Sequence, residues 1–156
     1  MVQQQLLRVA NLIGYGTFIL MTAYSLLILP DLPQQVAIHF NIAGEADNWG
    51  SKYVLLLIPV IVLFMTLAME AVEKHPEWHN YPASKTKANE QAMYKISQRT
   101  MNLVKNAILL IFSLLQLEMI RSATTENTSI GAAFFVLLLT VVVAPLIWHF
   151  ASMQKL

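Results

Sequence analysis

The sequence predicts an all-α membrane protein, a bundle of four transmembrane helices with a structured outer loop between the first two. Two observations predict it. Apolar residues make up 56% of the 156-residue chain and charged residues only 12%, whereas ordinary soluble domains carry about 25% charged residues. The apolar residues also fall into four runs, at 6–29, 53–70, 101–120 and 130–150, and about 20 such residues cross a hydrocarbon core as helix. We expect one integral domain covering 1–156.

The first two runs differ in how they end. The first is too long for a signal-peptide core and is expected to stay as an uncleaved anchor. Pro30 follows it directly and cannot continue a helix. The second run is short for a span, so we expect its helix to continue past Glu70 into the water layer.

The third run is the most polar of the four. Asn102, Lys105 and Asn106 lie near its start and Glu118 near its end. Polar side chains in a span should face protein rather than lipid. For Lys105 and the two asparagines we favour snorkelling to anionic headgroups over an inner polar pocket shared with Tyr15 or Glu70.

The distribution of basic residues predicts the orientation. Eight of the ten Lys and Arg residues lie on the side of the two termini, and only Lys52 and Arg121 lie on the other side. Because cytoplasmic segments carry an excess of Lys and Arg, both termini are expected inside. The segment 30–52 is then an outer loop and 71–100 a basic inner loop.

The outer loop contains a short apolar alternation. Val36, Ile38 and Phe40 fall on one side of an extended segment, and His39 on the other. We expect the apolar side to press on the helices and His39 to point away. Asn41 to Gly44 is a predicted turn in which Gly44 is able to take a positive φ.

The polar residues of this loop allow two interpretations. His39 and Asp47 either form a hydrogen bond that fixes the loop, or bind a divalent cation such as zinc. The metal site needs a third ligand, for which the candidate is Glu118, although Glu118 is equally suited to pair with Arg121 three residues on. For Trp49 and Lys52 we favour an aromatic-belt position and a snorkelling lysine.

Several functional classes find no support in the sequence. There is no cysteine, and therefore no thiol nucleophile and no thiolate metal ligand. The chain contains no HExxH, GxSxG, Walker or CxxC motif. A net charge of +1 gives no reason to expect a nucleic-acid partner.

The outer loop resembles the bacterial family called domain of unknown function 1648, the N-terminal unit of SdpI-like immunity proteins. The resemblance rests on a spaced set of residues between two spans: Leu32, Pro33, His39, Phe40, Asn41, Gly44, Asp47, Trp49 and Lys52. The sequence departs at Ala37, where the family usually has proline. The resemblance implies a multi-pass protein of the bacterial cytoplasmic (inner) membrane. SdpI-like members protect the producing cell from a secreted peptide toxin, and one activity attributed to them is holding a transcriptional repressor at the membrane.

Three functions are therefore considered. The first is a non-enzymatic receptor or immunity-type protein that binds a secreted peptide or small amphiphile outside and a cytoplasmic regulator at its basic inner loop. The second is a structural subunit that forms homo-oligomers or supports another membrane protein. The third is a small metal-dependent enzyme using His39 and Asp47. The candidate ligand-binding residues are His39, Phe40, Asn41, Gly44, Asp47, Trp49 and Lys52.

Overall fold

A computed structural model describes residues 2–125 and 129–156. The elements in chain order are α1 (Val2–Ile28), β1 (Gln35–Phe40), β2 (Ala46–Ser51), α2 (Val54–Lys74), α3 (Glu90–Thr124) and α4 (Ala132–Met153). Two short 3-10 turns, Leu29–Asp31 and Pro76–Trp78, follow α1 and α2. We call the end of the bundle that carries β1 and β2 the hairpin end, and the opposite end the terminal end.

Within the described residues, four helices are long and apolar enough to cross a membrane, which confirms the four predicted spans. The helix α2 continues past Glu70 to Lys74, as its short apolar run predicted. The helix α3 starts well before the predicted span and has 35 residues, so it is about 52 Å long at about 1.5 Å per residue. This exceeds a hydrocarbon core of about 30 Å, and α3 is therefore long enough to continue beyond that core.

The helix α3 is the centre of the fold. It packs against α1, α2, α4 and β1. The expectation that its polar residues face protein is confirmed, because many of them are buried: Ser97, Thr100, Asn102, Lys105, Asn106, Ser113, Gln116 and Ser122. Six of these side chains find partners on other helices or on the preceding turn of α3: Thr100, Asn102, Lys105, Asn106, Ser113 and Gln116. For example, Gln116 Nε2 donates to the carbonyl oxygen of Leu55 at 2.9 Å, and the Ser113 hydroxyl donates to the carbonyl oxygen of Leu109 at 2.7 Å.

The strands β1 and β2 form an antiparallel hairpin with two irregularities. Ala37 pairs with Trp49 and His39 with Asn48, so that Ile38 is an extra residue on its strand. The predicted alternation of faces is therefore wrong: Val36 and Ala37 are both buried, and Ile38 is 38% exposed. A bulge of this kind bends the strand and redirects the side chains beyond it.

The hairpin packs closely on the helices. The side chains of Leu32 and Val36 join Leu55, Met119 and Ile120 in one buried apolar cluster. This cluster links the loop after α1 and strand β1 to the hairpin ends of α2 and α3. The segment between the first two spans is thus part of the folded body.

Candidate functional site

Lys52 fixes the base of the hairpin. Its Nζ donates hydrogen bonds to the carbonyl oxygens of Leu32 at 2.9 Å and Pro30 at 3.3 Å, and the residue is only 6% exposed. The predicted snorkelling of Lys52 is wrong. The carbonyl groups just beyond the end of α1 have no helical partner, so the ammonium group turns inward to them.

Gly44 fixes the tip of the hairpin. Its φ of +82° confirms the predicted positive value, and its N–H donates to the carbonyl oxygen of Asn41 at 2.8 Å. The carbonyl oxygen of Gly44 accepts from the N–H of Ile130 at 2.6 Å. A Cβ at this position would lie 2.2 Å from the carbonyl oxygen of Ile130, so the segment before α4 approaches too closely for any side chain.

Asn41 closes the turn with its side chain. Its Oδ1 accepts from the backbone N–H of Glu45 at 3.0 Å, and its Nδ2 donates to the Glu45 carboxylate at 3.2 Å. This Asn–Glu pair holds both sides of the turn. The intervening Ile42 projects from the tip and is 98% exposed.

Of the remaining predicted residues, Phe40 packs against the buried apolar cluster, and the other three present their side chains to the outside. His39 Nδ1 lies 2.5 Å from Asp47 Oδ1, and these side chains are 64% and 43% exposed. Trp49 is 49% exposed on the outer strand. The structure therefore brings His39 and Asp47 together as a hydrogen-bonded pair, which agrees with the interpretation that they fix the loop. Both side chains remain accessible.

Glu118 does not join this pair. Its carboxylate lies 2.7 Å from Arg121 Nη2, and the same guanidinium donates to the carbonyl oxygen of Ser129 at 2.5 Å. Across residues 2–125 and 129–156, no three His, Asp or Glu side chains are grouped so that they could hold a metal ion. His39 and Asp47 supply two donors, fewer than the three protein ligands of a catalytic zinc site.

A second polar site, the inner polar cluster, lies toward the terminal end. Its members come from three helices: Asn11, Tyr15, Glu70, Glu73, Asn102, Lys105 and Asn106. Lys105 is 2% exposed, and its Nζ lies 2.9 Å from Glu73 Oε2 and 3.4 Å from Glu70 Oε1. The favoured interpretation of Lys105 as a snorkelling residue is wrong, and the alternative of a shared pocket is confirmed.

Neutral side chains also donate hydrogen bonds to the two carboxylates of this cluster. The hydroxyl of Tyr15 donates to Glu70 Oε1 at 2.5 Å. Asn102 Nδ2 donates to Glu73 Oε1 at 2.9 Å and to Asn11 Oδ1 at 3.0 Å. Glu73 lies 19 residues from the start of α2, or about 28 Å, which places the cluster near one boundary of a hydrocarbon core of about 30 Å.

The segment between α2 and α3 makes a local set of contacts. His75 Nδ1 lies 2.8 Å from Glu77 Oε1, and the His75 ring stacks on Trp78. His79 contacts the hydroxyl of Ser97, and its Nε2 lies 2.8 Å from the carbonyl oxygen of Val72. Each histidine thus has its own partners near the segment between α2 and α3.

These features define a multi-pass, four-helix protein with a docked hairpin between its first two spans. Residues 16–63 match a family model described as Domain of unknown function (DUF1648), which confirms the resemblance carried by the hairpin residues. An uncharacterized protein of Archaeoglobus fulgidus is 27% identical, over 88% of this chain and 81% of its own length. No solved structure matches the chain.

Proposed function

We propose that the chain is a non-enzymatic, SdpI-like receptor or immunity-type protein of the bacterial cytoplasmic membrane. Its hairpin binds a secreted peptide or small amphiphile on the outer side. The observation that supports this is a hairpin whose backbone is held at base and tip while His39, Asp47 and Trp49 stay exposed. Binding surfaces gain affinity when their shape is fixed beforehand, because less conformational freedom is lost on association.

The seven candidate residues divide into two roles under this proposal. Trp49 supplies a large aromatic contact, a residue type enriched at binding hot spots, and the His39–Asp47 pair supplies polar contacts. The other four hold the shape of the hairpin and act on the ligand through it: Phe40, Asn41, Gly44 and Lys52. The basic segment 71–100 is the proposed contact for a cytoplasmic regulator.

The proposed orientation can be tested with engineered cysteines, because the natural chain contains none. Ile42→Cys lies at the 98% exposed hairpin tip, and Lys87→Cys lies on the opposite side of the membrane. In intact cells, a membrane-impermeant maleimide is expected to label the first variant, and to label the second only after permeabilisation. The reverse pattern would place the hairpin in the cytoplasm and exclude it as an external binding surface.

The receptor role can be tested in a deletion strain of the producing organism. We expect the deletion to raise sensitivity to one of the peptides secreted by its own community, and the wild-type gene to restore resistance. Trp49→Ala and Asp47→Asn are expected to restore resistance poorly, because they remove exposed contacts with little effect on the anchors of the hairpin.

The matched control is Lys155→Ala, an exposed change far from the hairpin and outside the segment 71–100. Immunoblots of the membrane fraction establish that all variants are present in equal amounts. Equal resistance in the deletion strain and all complemented strains, across every secreted peptide tried, would refute a protective role.

A structural role is the second candidate, and the surface of α4 favours it. This helix packs mainly on α3 and leaves large side chains exposed, among them Val136 at 63% and Ile147 at 63%. In a bilayer this face meets either lipid or another protein. Crosslinking through α4 in native membranes distinguishes a lipid-facing helix from a subunit contact.

A further inference from the structure

A groove lies between α1, α3 and α4. It has a volume of about 370 Å³ and an almost wholly apolar lining, which includes Ile13 of α1, Leu103 and Leu110 of α3, and Val141 and Ala144 of α4. Ligand pockets in proteins commonly measure about 300–1,000 Å³. Since the outward faces of α1 and α4 are themselves exposed and apolar, the groove opens sideways toward lipid.

Arg99 lies at the terminal end of the same face of α3. Residues 99, 103, 106 and 110 follow the spacing of one helical face. The guanidinium of Arg99 stacks on the ring of Trp148 of α4, 4.3 Å from its centroid. The two residues thus bridge α3 and α4 beyond the last apolar residues of the groove.

The guanidinium of Arg99 lacks an anionic partner. Within the described part of the chain, none of the ion pairs includes Arg99, and its buried Nε has no hydrogen-bond partner. A buried N–H group without a partner costs about 1–3 kcal/mol, and more when it is charged. Stacking on Trp148 holds the planar group in place, ready for bidentate contact with a phosphate or carboxylate.

The spacing of these two features fits one kind of molecule. Along α3 the groove begins about 6 Å from Arg99, at Leu103, and ends about 16 Å from it, at Leu110. Trp148 lies five residues before the end of α4 at Met153, in the zone where tryptophan favours the headgroup region. A cation at headgroup depth is thus followed directly by an apolar channel.

We propose that Arg99, Trp148 and the groove between α1, α3 and α4 form a site for one anionic phospholipid of the leaflet at the terminal end. The lipid phosphate binds the Arg99 guanidinium, and one acyl chain occupies the groove. The unpaired cation selects the negative headgroup, and the apolar lining selects a lipid over a free anion. This site is separate from the hairpin and does not depend on its ligand.

The test measures lipid-dependent thermal stability of the full chain in a neutral detergent. Dioleoyl phosphatidylglycerol is titrated into the wild type, with dioleoyl phosphatidylcholine and inorganic phosphate in parallel. Phosphatidylglycerol is expected to raise the melting temperature, and the other two to have little effect. In Arg99→Gln the concentration needed is expected to rise roughly tenfold, from the loss of a charged hydrogen bond of about 1.5 kcal/mol or more.

Two further variants make the test specific. Lys87→Gln removes the same charge from an exposed position and is expected to respond like the wild type. Ala144→Leu keeps Arg99 and fills the groove from an exposed position, and it is expected to weaken the response. If Arg99→Gln does not fold, Ala144→Leu decides the matter alone.

Three results would overturn the proposal. The first is an undiminished phosphatidylglycerol response in Arg99→Gln or Ala144→Leu. The second is an equal response to phosphatidylcholine, which would remove the role of the cation. The third is an equal response to inorganic phosphate, which would make the site one for a free anion.

Discussion

Replacing Lys105 by methionine is expected to lower the free energy of unfolding by about 3 kcal/mol or more, the range measured when one partner of a buried ion pair is removed. Lys105 is 2% exposed and faces both Glu70 and Glu73. Methionine keeps most of the apolar stem but leaves two partly buried carboxylates without their cation. Reversible unfolding in detergent micelles, followed by circular dichroism, measures the difference.

The matched control for this experiment is Lys87→Met, which removes an exposed lysine and is expected to change stability by less than about 0.5 kcal/mol. Adding Glu73→Gln to Lys105→Met should recover part of the loss, since it removes one of the uncompensated charges. Equal stability of Lys105→Met and Lys87→Met would show that the inner polar cluster contributes no more than a surface charge.

Replacing Gly44 by alanine is expected to destabilise the hairpin by at least about 2 kcal/mol. A left-handed backbone conformation costs an L-residue with a Cβ about 1–2 kcal/mol, and the φ here is +82°. The new Cβ would also lie 2.2 Å from the carbonyl oxygen of Ile130, which forces the tip away from α4. Limited proteolysis between β1 and β2, together with the melting temperature, reports the change.

Gly131→Ala is the matched control, because a Cβ there meets nothing within 4 Å and its φ is −66°. We expect this variant to resist proteolysis like the wild type. If Gly44→Ala were cleaved no faster than Gly131→Ala, the contact between the hairpin tip and the segment before α4 would not restrain the loop.

The features that are set by residues close together in the sequence could be predicted from it. The four spans follow from the length of each apolar run, and the positive φ of Gly44 follows from its place in a turn. Of the two interpretations of His39 and Asp47, the structure selects the hydrogen-bonded pair, because the hairpin pairs His39 with Asn48 and so brings the neighbouring Asp47 within reach.

The sequence does not predict the partners of Lys52 and Lys105, because these partners lie far along the chain. Lys52 binds carbonyl oxygens 20 and 22 residues earlier, and Lys105 binds a carboxylate 32 residues earlier. Glu73 is not evident as that partner in the sequence, because it lies beyond the apolar run of its helix. In the sequence alone, a lysine next to a span is equally compatible with a lipid headgroup and with a partner elsewhere in the protein, because the helix packing is not known.

The strand pattern and the metal hypothesis show a further limit. A single extra residue, Ile38, redirects the faces of β1, and periodicity alone does not reveal a bulge. Glu118 does not join His39 and Asp47 as a third metal ligand, because its carboxylate pairs with Arg121, one helical turn away.

The uninterrupted helix α3 is expected to move as one rigid body. Its 35 residues contain neither proline nor glycine, so it has no hinge at which to bend. Lys105, which pairs with Glu70 and Glu73 of α2, lies near the middle of α3, about 28 Å from Thr124 and about 22 Å from Glu90. If α3 tilted as a rigid body by about 5° about Lys105, its two ends would move in opposite directions, each by about 2 Å, over distances of this length.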